Sequence, residues 1–224
     1  MNVFFKMLSA PTGKKALMAV SGGIWIGFLL VHLLGNLQIL FGQDAMNQYA
    51  HFLQNLGSVK WIARSIFLIS FILHVILAAI LKFQNSSARP EGYTKHNTIR
   101  ATLASRSMAL SGLAILSFII YHILHYTLGT VHSEYFGQLD SEGRHDVYFM
   151  VTESFKNPWI TLAYITAILF VSLHLSHAFS SMFQTLGLNG PRTEALWKST
   201  GYFLAAIVLF GYSAIPIAAI YGLI

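Results

Sequence analysis

Five apolar runs divide this chain, at about residues 16–40, 61–83, 107–130, 158–186 and 199–223. Each reaches the roughly 20 residues that an α-helix needs to cross the hydrocarbon core of a bilayer. Arg64 and Lys82, near the two ends of the second run, are the only Asp, Glu, Lys or Arg residues in any of them. A backbone surrounded by lipid must satisfy its own hydrogen bonds, and a helix does so within one segment. The expected fold is therefore all-α, a single membrane domain over residues 1–224 built as a bundle of five transmembrane helices. Composition agrees, since only 10% of residues are charged against about 25% in ordinary soluble proteins. The first run is too long for a removable signal peptide and is expected to stay as a span. Pro216 is expected to kink the last helix, which membrane helices tolerate.

Charge sets the expected orientation. With the N-terminus inside, the inner segments hold ten basic residues (Lys6, Lys14, Lys15, Lys82, Arg89, Lys95, Arg100, Arg106, Arg192 and Lys198) against Glu91 and Glu194. The outer segments hold Lys60, Arg64, Arg144 and Lys156 against six acidic residues. Excess Lys and Arg on one side marks the cytoplasmic face, so the N-terminus is expected to be cytoplasmic and the C-terminus outside. The net charge of +6 is thus read as orientation, and no nucleic-acid partner is expected. After the first span, Ala45, Met46, Tyr49, Phe52, Leu53 and Leu56 recur at helical spacing. They predict a short amphipathic interfacial helix, with Asp44 capping its start and Gly57 its end. The acidic stretch 131–157 reads as an ordinary solvated loop.

Ten histidines and no cysteine make imidazole the one strong metal ligand available, and thiolate-bound clusters and covalently attached haem are excluded. Four histidines lie one to a span at two depths, counted at about 1.5 Å per residue. His32 and His122 fall in the outer halves of the first and third spans, and His74 and His174 in the inner halves of the second and fourth. Two facing imidazoles at each of two levels is the donor pattern for two bis-histidine b-type haems in a helix bundle. Ser21-Gly22 lies eleven residues before His32, and Ser111-Gly112 eleven before His122, which puts both pairs near the inner level. There glycine would admit a haem edge, and serine would donate to a propionate or bond a ligand's second nitrogen. A lone intramembrane histidine is more often an interhelical hydrogen-bonding residue, and Ser-Gly pairs are common packing notches. The pairing by depth is what lifts the four above that reading. His125 and His177 follow His122 and His174 by three residues on nearly the same face, so each is an alternative ligand, with the depth match favouring the earlier residue.

The runs Val31-His32-Leu33-Leu34-Gly35-Asn36, Leu73-His74, Tyr121-His122 and Leu173-His174-Leu175-Ser176-His177-Ala178 come in this order along the chain. With Phe183-Gln184-Thr185-Leu186-Gly187 and the Tyr49-Ala50-His51-Phe52 segment, they resemble the cytochrome b membrane-anchor subunit of succinate dehydrogenase and fumarate reductase, in its five-helix, single-polypeptide, di-haem type. The resemblance covers nearly the whole chain through the order and spacing of its motifs. It implies axial ligands His74 and His174 for an inner haem b and His32 and His122 for an outer one. It favours His174 over His177, leaving His177 beside the inner haem.

The implied partners are the flavoprotein and iron–sulfur subunits of respiratory complex II, membrane lipid, and a membrane quinone (menaquinone or ubiquinone) as substrate. The chain would carry electrons between the iron–sulfur subunit and quinone in the inner (cytoplasmic) membrane, with no catalytic residue for succinate of its own. Ser21, Gly22, Ser111, Gly112 and Arg106 are cofactor-contact candidates. Asn36, Gln38 and His125 on the outer side, and Ser105 on the inner side, are quinone candidates. Some di-haem fumarate reductases carry a glutamate two residues before the fourth ligand, where this chain has Ser172, so no carboxylate-based proton path is expected. Two other readings stand beside this one: the anchor of a quinol:fumarate reductase, and a histidine-rich membrane transporter without haem.

Overall fold

The computed structural model describes residues 10–88 and 102–224. Lys6, Arg89, Glu91, Lys95 and Arg100, which entered the charge count, lie outside the described residues. Within them the fold is all-helical, and its only strand-like feature is an isolated bridge between Leu139 and His145. Five helical segments are long and apolar enough to span a membrane: Pro11–Phe41, Ser58–Ser87, Met108–Thr127, Pro158–Thr185 and Glu194–Ile220. They coincide with the five apolar runs to within a turn or two at each end.

Helix α1, Pro11–Asn36, opens with proline in its first turn, where no N–H is missed. It tightens into a 3-10 turn, Leu37–Phe41, and stops at Gly42, whose φ of 99° reverses the chain in a conformation that other residues rarely adopt. Helix α2, Gln43–Gln54, follows at once. Its caps differ from expectation. Gly42 is its N-cap, Asp44 sits inside its first turn, and Gly57, with φ 55°, starts the next helix instead of ending this one. Met46 and Asn47 are buried, whereas Phe52 is 60% exposed, so the helix has one packed and one open apolar side.

Helix α3 spans Ser58–Ser87 and α4 is a single turn, Leu103–Arg106. Helix α5, Met108–His122, widens after His122 into a π segment, Ile123–Thr127. Helix α7, Pro158–Thr185, is started by Asn157, whose side chain accepts from the Trp159 N–H at 2.9 Å. Helix α8, Glu194–Ile220, runs through Pro216 without a break in its helical assignment.

The segment before α7 is a correction to the expected solvated loop. It folds into a 3-10 turn, Ser133–Tyr135, and helix α6, Val147–Lys156, of which Met150, Val151, Thr152, Ser154 and Phe155 are buried. Met150, Val151 and Phe155 form an apolar cluster with Ile39, Met46, Ile160, Tyr164, Ile215 and Ala219. A polar lattice ties α2 to this cap. Asn47, with no exposed surface, donates to Asp140 at 3.1 Å and Asp146 at 2.9 Å and accepts from the Tyr148 N–H at 3.0 Å. Gln43 donates to Asp146 at 2.6 Å, and Arg144 bridges Asp140 and Asp44 at 2.8 Å each. Burial pushes the Asp140 carboxyl up, but hydrogen bonds from Arg144, Asn47 and the Glu142 N–H outweigh it and bring its pKa from 3.8 down to about 2.

Packing among the spans is uneven. The most extensive contact is α7 on α8, helped by Gly201, where an added methyl would come within 3.1 Å of the Ser176 carbonyl oxygen. Helix α1 packs on α3, α7 and α8, while α5 leans on α7. Helix α3 is substantially packed on α1 alone. Outward-turned Ile69, Leu113 and Phe210 are 66%, 62% and 72% exposed, as suits side chains meeting lipid tails. The bundle thus joins two helix pairs, α1/α3 and α5/α7, through α1 and α7, with α8 packed on α7 and α1 and side chains filling the space between the pairs.

Candidate functional site

The histidines occupy that space. His32 and His122 face each other across α1 and α5 with ring centroids 6.0 Å apart and planes at 84°. Two imidazoles bound in line to one metal, at about 2.0–2.1 Å per bond, have ring centres about 6 Å apart. The separation is of the order that an ion shared by the two rings would need. Phe28 stacks on His32 at 5.1 Å and 13°, fixing the ring's tilt. His122 presents its Nδ1 to the Tyr164 hydroxyl at 3.4 Å.

One level away, His74 and His174 project from α3 and α7. Their partners are the two serines of the Ser-Gly pairs. Ser21 Oγ lies 3.2 Å from His74 Nδ1, and Ser111 Oγ lies 3.1 Å from His174 Nδ1. Both serines donate their own proton within the helix, Ser21 to the Met18 carbonyl at 3.0 Å and Ser111 to the Met108 carbonyl at 3.2 Å. With its proton committed, each hydroxyl is left to accept from the imidazole. His74 Nδ1 also lies 3.1 Å from the Met18 carbonyl oxygen, which can only accept. Nδ1 therefore carries the proton in His74, and Nε2 carries the bare lone pair; Ser111 offers His174 the same arrangement. A metal-bound histidine shows this division of labour, one nitrogen ligating while the other donates to an acceptor. The donors of this level thus fit a haem iron.

The glycines serve the same rings. A methyl built on Gly22 would lie 3.2 Å from His74 Cε1, and one on Gly112 would lie 3.9 Å from His174 Cε1. The space left by the missing side chain is taken by the imidazole edge. Gly22 is tight and Gly112 is not.

The neighbouring histidines are spent elsewhere. His125, 1% exposed, has both nitrogens engaged, Nδ1 with the Tyr164 hydroxyl at 3.0 Å and Nε2 with Ser154 Oγ at 3.2 Å. The π segment carries it off the face of His122. His177 turns its Nε2 to Ser181 Oγ, one turn on, at 3.3 Å. Of the other candidates, Asn36 donates to the His32 carbonyl at 2.7 Å within its own helix. Gln38 is half-buried at the capped end beside it. Ser105 and Arg106 sit in α4 at the opposite end, Ser105 half-buried and Arg106 exposed. Ser172 is 7% exposed, and its hydroxyl has no hydrogen-bond partner among the described residues.

Reading the sequence missed Tyr164 and Ser154. Tyr164 lies ten residues before His174, so the depth count that located the serines also puts it at the level of His122. Ser154 had no such signal, because it sits in the cap and outside the spans. Among the described residues, no three His, Asp or Glu side chains converge as a multidentate metal site requires. Compared with known protein families, with curated proteins and with solved structures, the chain matches none.

Proposed function

We propose that this chain is the di-haem cytochrome b anchor of a succinate:quinone oxidoreductase. It would hold the flavoprotein and iron–sulfur subunits at the membrane and pass their electrons to a membrane quinone. One observation carries the reading. His32 and His122 meet ring to ring, and three of the four candidate ligands, His74, His122 and His174, have Nδ1 against a hydroxyl from another helix. Haem b, when bound, supplies a one-electron iron couple at each level. His74 and His174 hold the inner iron and His32 and His122 the outer one. Ser21, Ser111 and Tyr164 orient the rings, and the apolar bundle keeps water away.

The positive-inside balance supports a cytoplasmic N-terminus in the inner membrane, which turns the Lys14, Lys15, Arg106, Arg192 and Lys198 face toward the soluble subunits. The open side of α2, with Phe52 and Leu53, suits a helix lying in the outer interface. Serine at position 172 and spans whose one carboxylate is the end residue Glu194 suit electron transfer without a carboxylate proton path.

A dithionite-reduced minus oxidised spectrum of the purified membrane protein, with haem extracted as its pyridine complex, tests the reading. About two b-type haems per chain with low-spin bands is the expected result. Protein from a haem-replete host that carries no haem would overturn it and bring the transporter reading forward.

A further inference from the structure

The hydroxyl of Tyr164 stands between two histidines of different standing, and the direction of every hydrogen bond around it follows from one end. Ser154 Oγ donates to the Met150 backbone carbonyl at 2.6 Å, an atom that can only accept. Its proton is therefore committed, and it accepts from His125 Nε2 at 3.2 Å. His125 then carries its proton on Nε2, and its Nδ1 accepts from the Tyr164 hydroxyl at 3.0 Å. With its own proton directed to His125, the Tyr164 oxygen receives the Nδ1–H of His122 at 3.4 Å. In this order the chain runs from His122 to a backbone carbonyl of α6 with every member satisfied. His125, Ser154 and Tyr164 are all buried, so water does not compete for these bonds.

We propose that Tyr164 is a positioning residue for the outer axial ligand, and that the cap helix α6, acting through Ser154 and His125, sets the electronic character of that ligand. The inference rests on the proposed haem function. A histidine that donates its Nδ1–H to a held acceptor is a more basic ligand, and a more basic ligand favours the oxidised iron. The inner ligands receive the same treatment from serines on the spans themselves, independent of the cap. The cap therefore tunes one level and leaves the other alone.

The experiment uses the full chain in its assembled membrane complex, with Tyr164→Phe and Ser154→Ala beside wild type. Each haem's midpoint potential is read by spectroelectrochemical titration, and its ligand field by the low-spin electron paramagnetic resonance signal. Tyr164→Phe is expected to keep two haems per chain, raise the outer haem's potential, shift its low-spin signal, and leave the inner haem unchanged. Ser154→Ala is expected to move the outer haem the same way by a smaller amount. It also decides the matter should the phenylalanine variant fail to assemble. An outer haem with unchanged potential and signal in the assembled variants overturns the proposal, as does a shift shared equally by both haems. Wild-type protein without haem would instead strike at the functional reading beneath it.

Discussion

At the level of His74 and His174, each ring is steadied by a serine from a neighbouring span, and each serine is tied to a carbonyl three residues back in its own helix. At the level of His32 and His122 the two rings are treated unequally. His122 is held through Tyr164 by a chain that ends in the cap, and His32 is held by the stacked ring of Phe28. The first level is thus built from the helices alone, by the same device used twice. The second borrows from a segment outside the spans. A bundle can position a ligand with two residues of one helix, but it then has nothing with which to make one site differ from its twin.

Removing ligands tests the comparison most severely. His74→Ala or His174→Ala is expected to abolish the inner haem, and His32→Ala or His122→Ala the outer one, leaving one b-type haem per chain by pyridine assay in each case. A variant that loses both haems, or loses the one belonging to the other level, would break the assignment of pairs.

Loosening the cap comes next. Asn47→Ala removes a fully buried side chain that joins Asp140, Asp146 and the Tyr148 N–H. Stranding these groups is expected to cost about 3 kcal/mol. In thermal unfolding followed at the haem bands, the outer haem should be released well before the inner one. Simultaneous release at the wild-type temperature would show that the cap does not support the outer level.

The glycines give a finer contrast. Gly22→Ala forces the His74 ring to move from a 3.2 Å contact, whereas Gly112→Ala meets His174 at an ordinary 3.9 Å. The first is expected to cost about 1 kcal/mol by overpacking and to broaden the inner haem's spectrum. The second should be silent. Equal effects would mean that the two serine-backed sites are closer copies than their contacts indicate.

The smallest effect is acid sensitivity. Because the Asp140 pKa is depressed, from 3.8 to about 2, its contribution is complete above the higher value and is lost as pH falls through the lower one. Cap opening, followed by protease cleavage within 131–157, should set in only below about pH 3.8. An onset near neutrality would point to a group other than Asp140.

The spans, and the nearness of His32 to His122, were legible because a bilayer imposes one rule on every residue inside it. Long apolar runs must be helices, and depth follows from counting. The same counting located Ser21 and Ser111 opposite the rings they hold, though it left open whether they would face a propionate or a ring nitrogen. The cap was not legible. Its acidic residues suggest solvation, yet Asp140 and Asp146 are held by Asn47, a partner more than ninety positions away, and no local pattern announces such a pairing. The caps of α2 were misread for a related reason. Asp44 is an acceptable N-cap by type, but its carboxylate is engaged by Arg144, and Gly42 has the backbone freedom to make the turn.

The π segment at Ile123–Thr127 has a consequence for how this chain tolerates change in length. A π turn is an α-helix carrying one residue too many. Deleting a residue after His125 would restore regular winding, at about 100° per residue, and bring His125 back to within about 60° of the His122 face. Its bonds to Tyr164 and Ser154 would be lost, and with them the tie between this helix and the cap. A shortening that an ordinary surface loop absorbs would here uncouple an entire end of the protein. The surplus residue is a register mark, and lineages descended from this chain should gain and lose residues almost anywhere in 131–146 before they lose one in 123–127.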